Sequence, residues 1–215
     1  MMDTPLQKAR KAPESMKARI LAAARRIFGE YGFHGTTTRM IAKEVGIDIS
    51  TLHYHWGEKK DLYAAVVVDI NEDLRRKLIE VERLIHGRPL GERLSLSIDV
   101  MTDYLFAHPE VSNLVLMRYL NKTRDDVLVD IRIPEFTCDI ARSMGLAADK
   151  KNVSADAKMK VLAVMNSIHN FISGESFFRS IVRADREAYI ALVKETLNFI
   201  HVPAFTQNGS SQNKR

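Results

Sequence analysis

The sequence predicts an all-α protein of about nine helices, with a small N-terminal module and a larger C-terminal one. Three observations carry that expectation. Apolar residues recur at helical spacing along most of the chain. Good N-cap residues and terminating glycines or prolines alternate about one helix length apart. No stretch shows the strict alternation of a half-buried strand, and no internal repeat or low-complexity block interrupts the pattern.

Taken in order, residues 1–14 read as a disordered basic tail, being short, polar and interrupted by Pro5 and Pro13. After Ser15, the residues Ile20, Ala24, Ile27 and Phe28 form one stripe, and Gly29 and Gly32 bracket the end of that helix. Thr36, Thr37 and Thr38 supply N-caps for a second helix to Val45, which Gly46 ends. Asp48 caps a short third helix to Trp56. Gly57 breaks it, and a long helix follows over 59–85. Gly87-Arg88-Pro89 is a turn before a helix over 91–107, closed by His108-Pro109. Further helices are expected over 110–121, over 124–146 with a disturbance at Pro134, from a Ser154 cap to Val182, and over 186–201, stopping before Pro203. Residues 204–215 read as a disordered tail.

Composition narrows the function. Of 215 residues 46% are hydrophobic, enough for a core. No apolar run is long enough for a membrane span and no secretory leader is visible, so the expected address is cytoplasmic, with no membrane partner. The single cysteine, Cys138, leaves no intrachain disulfide framework. Residues 1–65 hold 11 Lys and Arg against 7 Asp and Glu, so they carry +4 of the chain's formal +5. A phosphate-facing module needs such a bias, although solvated basic faces are common.

The informative stretch is Thr36–Leu62, TTTRMIAKEVGIDISTLHYHWGEKKDL. Ile41 and Val45 face inward four residues apart, Ala42 suits a close helix crossing, and Gly46 makes the tight turn. Ile47 and Leu52 complete a miniature core. The following helix is left showing Ser50, Thr51, His53, Tyr54 and His55, a mixture of hydroxyls and rings suited to base edges and phosphates of double-stranded DNA. Its geometry is that of a helix-turn-helix, with a DNA-binding domain expected over 15–62 and a larger helical module over 63–203.

Over residues 17–64 the chain resembles the TetR family of bacterial regulators. The resemblance shows in Ile27-Phe28 with Tyr31-Gly32-Phe33, in Thr37-Thr38, in Ile41-Ala42 with Gly46, and in Lys59 with Leu62. It implies a homodimer with two N-terminal DNA heads, and it makes the module over 63–203 a ligand-binding and dimerisation domain. It also implies that Thr38 and Arg39 touch DNA from the second helix, that Ser50, Thr51, His53, Tyr54 and His55 belong to the recognition helix, and that Lys59 meets a phosphate. This chain departs from the family where it has His53 in place of tyrosine and Trp56 in place of phenylalanine.

The remaining two-thirds offer two further groups. Met165 and Ile172 lie on one C-terminal helix stripe, and Tyr189, Leu192, Thr196, Leu197 and Ile200 on another. They suit either an ordinary core or, as the resemblance implies, a four-helix dimer interface. Met101, Tyr104, Leu105, Met117, Phe136 and His169 mix adaptable methionines with polar tips. They suit either packing or a pocket for a small hydrophobic effector, with Tyr104 or His169 on its polar end and Pro134 letting a helix shift.

Metal and cofactor chemistry is not expected. His53 and His55, two apart, face different ways on a helix, and Asp125, Asp126 and Asp130 read as a solvated face. No phosphate loop, nucleophile elbow or zinc-protease motif appears, so no enzyme is expected. The expectation is a sequence-specific regulator, a repressor released from a palindromic operator by its effector. The alternative is a DNA-binding regulator or architectural protein without a small-molecule effector.

Overall fold

The structure is a computed structural model that describes residues 3–120, 133–149 and 151–206. The fold is all-α, with eleven helices and no strand among the described residues: α1 (Pro5–Lys11), α2 (Met16–Gly35), α3 (Thr38–Val45), α4 (Ile49–Trp56), α5 (Lys59–Ile85), α6 (Leu90–Ala107), α7 (Pro109–Leu120), α8 (Ile133–Ser143), α9 (Ala155–Ser173), α10 (Glu175–Val182) and α11 (Arg186–Thr206). None of the described helices is long and apolar enough to cross a membrane. Two compact units emerge. One holds α1–α4, α5 as far as Asp73 and α7 from Glu110; the other holds α5 from Leu74, α6 and α8–α11.

In the first unit, Ile20, Phe28, Ile41, Leu52, Leu62, Val66 and Val111 are fully buried. The Phe28 ring meets the edge of Tyr63 at 5.0 Å, and Phe33 lies the same distance from Tyr63. An ionic hub reinforces this core. Arg25 Nη1 donates to Asp69 at 2.7 Å and to Asp73 at 2.5 Å, while Nη2 reaches Glu110 at 3.2 Å. Burial works against the Arg25 charge, but the Asp73 and Asp69 carboxylates outweigh it and hold its pKa above the ordinary value.

The N-terminal segment corrects the expectation of a disordered tail, because residues 5–11 are helical. Thr4 and Gln7 form a reciprocal capping box, Pro5 pre-sets the first turn, and Ala9 is buried. Arg10 ties the helix down through Asp69, at 2.8 Å from Nε, and through Glu72.

Three helix ends also differ from expectation. The α2 helix runs past Gly29 and bends at Gly32 (φ 67°, ψ −178°), whose carbonyl accepts a 2.7 Å bond from the buried Thr36 hydroxyl. Gly29 instead marks a close approach, since a β-carbon there would lie 2.5 Å from Cβ of Glu110 on α7. The expected long helix to Val182 is divided at Gly174 (φ −89°, ψ 10°) into α9 and α10, and the Phe178 ring lies against Gly174 where a β-carbon would sit. The last helix continues through Pro203 to Thr206. Proline removes the N–H that would bond the Phe199 carbonyl; beyond it the Thr206 hydroxyl donates to the Val202 carbonyl at 2.9 Å, and Val202 and Thr206 lie beside Gly91 of α6. Pro134 falls in the first turn of α8, where its missing N–H breaks no helical bond, so it produces no kink in the described helix. The segment expected to be helical over 124–132, with Asp125, Asp126 and Asp130, lies outside the described residues.

In the second unit α6 and α11 run antiparallel. Lys194 pairs with Asp103 at 2.5 Å, Asn198 donates to Asp99 at 3.0 Å, and the Tyr189 ring meets the edge of Phe106 at 5.9 Å. Leu94, Ile98, Leu105, Val161, Ile168, Val193 and Leu197 are buried in this unit.

Candidate nucleic-acid interface

The α3–turn–α4 geometry follows from its caps. The Thr37 hydroxyl accepts from the Met40 backbone N–H at 3.2 Å and starts α3. Gly46 ends α3 in the left-handed conformation (φ 76°, ψ 38°), with its N–H turned back to Ala42 and Lys43. Glycine adopts that conformation without the cost a β-carbon brings. Asp48 then starts α4, accepting from the Thr51 N–H at 2.6 Å. Ile41, Ala42, Leu52 and Trp56 close the small core, and Trp56 Nε1 donates to the Lys17 carbonyl at 3.2 Å.

With about 100° per residue, burying Leu52 and Trp56 fixes what α4 shows. Tyr54 stands opposite the core and is 85% exposed. Ser50 flanks it and is exposed, and Thr51 is half-buried. His53 and His55 fall on the two margins of this face. His53 is exposed, with Nδ1 2.7 Å from the Gly57 carbonyl. His55 is half-buried and turned to α2, where Lys17 Nζ donates to its carbonyl at 2.8 Å and reaches its Nδ1 at 3.3 Å. Burial, then the nearby Lys17 charge, lower the His55 pKa, while burial and Lys8 lower that of Lys17. On α3, Arg39 is exposed and Thr38 is half-buried.

Lys59 has partners that the sequence did not foretell. Its Nζ donates to the carbonyls of Phe33 and Thr36, each at 2.9 Å, and lies 4.3 Å from the centre of the Phe33 ring. The lysine at the start of α5 thus closes the C-terminal end of α2. Lys17 and Asp48 are functional candidates missed as such in the sequence. Asp48 reads in the sequence as a cap, without its grip on the neighbouring hydroxyls, and Lys17 belongs to no motif.

The other predicted groups are only partly brought together. Tyr104 and Met101 are half-buried, and Leu105, Phe136 and His169 buried, all in the second unit. Met117 belongs to the first unit, its sulfur 3.3 Å from where a Gly32 β-carbon would be. Burial pushes the His169 pKa down to about 4. Of the stripe read as a dimer seam, Ile172, Tyr189 and Leu197 are buried within the second unit, where the Tyr189 hydroxyl donates to the Phe171 carbonyl at 2.8 Å. Met165 and Thr196 are half-buried, and Leu192 (43%) and Ile200 (49%) are exposed beside Phe199, which is 79% exposed and was not anticipated.

Known proteins agree with this geometry. Residues 20–66 match the family model of bacterial regulatory proteins of the tetR family. The chain is 39% identical to the transcriptional dual regulator CecR of Shigella flexneri, over 39% of this chain and 38% of CecR, well under two thirds of that relative's length. It is 31% identical to the transcriptional repressor AcnR of Corynebacterium diphtheriae, over 52% of this chain and 70% of AcnR. Among solved structures, a transcriptional regulator from Rhodococcus sp. Rha1 superposes with a TM-score of 0.66 at 15% identity, covering 90% of this chain and 97% of its own. The fatty acid degradation regulator FadR of Bacillus halodurans gives 0.57 at 14% identity, covering 84% and 93%. An all-α fold with a helix-turn-helix of this form defines a DNA-binding transcription regulator. The chain belongs to the tetR family of bacterial regulatory proteins.

Proposed function

We propose that the protein is a homodimeric, cytoplasmic repressor that leaves a palindromic operator when a small hydrophobic effector binds its C-terminal helices. The observation that carries the DNA half is the face of α4. An aromatic hydroxyl, Tyr54, stands 85% exposed between Ser50, Thr51 and His53 on a helix whose opposite side is fixed in the core. A protruding, rigidly seated polar ridge of this kind fits a major groove. Arg39 on α3 supplies an exposed cation for phosphates. Lys59 serves this interface by seating α2 rather than as a principal phosphate contact.

Leu192, Thr196, Phe199 and Ile200 make an apolar strip along α11, and covering it by the same strip of a second copy, with Met165 on α9, gives the two-fold assembly. The effector region is assigned to His169, whose imidazole is buried and neutral, with Met101, Tyr104, Leu105 and Phe136. Release from DNA then requires the effector to bind one dimer shape better than the other.

Selection from a random duplex pool tests the whole. It should enrich a palindrome whose half-site centres lie about one helical turn, ~34 Å, or a multiple of it apart. Addition of fatty acids or planar aromatic compounds should then lower the affinity for it. Enrichment of no palindrome would refute the proposal. A palindrome that no such compound releases would favour the effector-free regulator.

A further inference from the structure

The hydrogen atoms of the α4 face are already committed, and this sets what the face can read. The Ser50 hydroxyl donates to Asp48 Oδ1 at 2.6 Å, and the Thr51 hydroxyl to Asp48 Oδ2 at 3.1 Å. A carboxylate only accepts, so both hydroxyls give it their single proton and keep lone pairs for any outside partner. These bonds, with the Thr51 N–H, hold the Asp48 carboxyl down to about 2, so it stays ionised at neutral pH. His53 is committed in the same sense. The Gly57 carbonyl, 2.7 Å from Nδ1, also only accepts, so Nδ1 carries the proton and Nε2 of the neutral ring presents a lone pair. The turn at Gly57 (φ 77°, ψ −139°) carries that carbonyl. On the other margin the polarity is reversed. Lys17 donates toward Nδ1 of His55, which leaves Nε2 of that ring as the protonated nitrogen.

We propose that Ser50, Thr51 and His53 act as hydrogen-bond acceptors that read exocyclic amino groups in the major groove, while His55, its Nε2 proton set by Lys17, is a donor at the margin toward the DNA backbone. This rests on α4 being the DNA-reading helix. Each base pair shows one amino donor in the major groove, on adenine N6 or cytosine N4. Phosphate oxygens accept only, so lone pairs beside an ionised carboxylate match base amino groups and are repelled by the backbone. The acceptors span Tyr54 on one continuous arc of the helix, and the His55 donor lies at its other margin. Polarity is therefore sorted across the helix rather than mixed along it.

The full-length protein is titrated at pH 8 and fixed salt against duplexes enriched from a random pool, with fluorescence anisotropy as readout. Adenines in the half-site are replaced singly by purine lacking the 6-amino group, or by 7-deazaadenine, which keeps the amino group and loses the N7 acceptor; cytosines are replaced by the 4-deamino analogue. Loss of an amino group at two or more positions should weaken binding about tenfold each, and 7-deaza substitution should change it by less than about twofold. His53→Phe should abolish the sensitivity at one of those positions and leave the others. Sensitivity to 7-deaza with indifference to the amino group overturns the proposal, as does indifference to both. If no duplex is enriched at all, α4 is not a DNA-reading helix and the functional reading itself falls.

Discussion

Replacing Lys59 by methionine keeps the aliphatic stem and removes the ammonium. Two charge-assisted hydrogen bonds to the carbonyls of Phe33 and Thr36 go with it, together with the contact to the Phe33 ring. Bonds to a charged group contribute about 1.5–3 kcal/mol each, and a partly exposed cation–π contact adds ~0.5–1 kcal/mol. Lys59 is half-buried, so water recovers part of what the carbonyls lose. The expected net loss is about 2 kcal/mol of stability. For a chain of this size that lowers the thermal midpoint by roughly 4–8 °C, followed by circular dichroism without DNA. A phosphate contact makes the opposite forecast: an unchanged midpoint, and a salt dependence of DNA binding shallower by about one unit. That second outcome would refute the assignment of Lys59 to the end of α2.

Three other outcomes follow from the packing. Gly29→Ala should destabilise by ~1–2 kcal/mol despite alanine's better helix propensity, because its β-carbon meets Glu110 backbone and side chain at 2.8 and 2.5 Å; Gly91→Ala, at an ordinary 3.4 Å from Thr206, should be neutral or stabilising in the same denaturation assay. His169, with its pKa pushed down to about 4, is neutral in the folded state where the unfolded chain, near 6.5, takes up a proton. Stability is therefore full above pH ~6.5 and falls by about 3 kcal/mol as pH drops to ~4, and urea titrations of His169→Gln should show a flatter profile over that window. Leu192→Asp should dissociate the proposed dimer with helicity intact, whereas Leu197→Asp, wholly buried within the second unit, should unfold the unit, as read by sedimentation alongside circular dichroism.

Much of the first unit was legible because its signals are local. Thr37, Gly46, Asp48 and Gly57 act within four residues of where they sit, and each falls where capping chemistry places it. What escaped was decided by partners distant in sequence. The α1 helix depends on Arg10 reaching Asp69, 59 residues away. The continuation of α11 through Pro203, beside Gly91 of α6, and the Phe178 ring lying against Gly174 at the break between α9 and α10 are likewise contacts no local pattern shows. Helical spacing identified apolar stripes correctly but could not say which flank faces the unit's own core. Thus Leu197 and Tyr189 turned out buried while Leu192, Phe199 and Ile200 stayed exposed. The residues that α4 carries were legible as a list; the direction of their hydrogen bonds was not, since that depends on Asp48, Gly57 and Lys17 taking up particular distances.

The central claim, that α4 reads DNA through the ridge crowned by Tyr54, is tested most directly by the affinity of Tyr54→Ala for the enriched duplex and for a scrambled one. Tyr54 is 85% exposed, so its removal leaves the fold and its thermal midpoint unchanged. Loss of one good base contact, ~1–3 kcal/mol, should weaken the enriched duplex about tenfold or more and the scrambled duplex far less. A folded variant that binds both duplexes as the wild type does would contradict it.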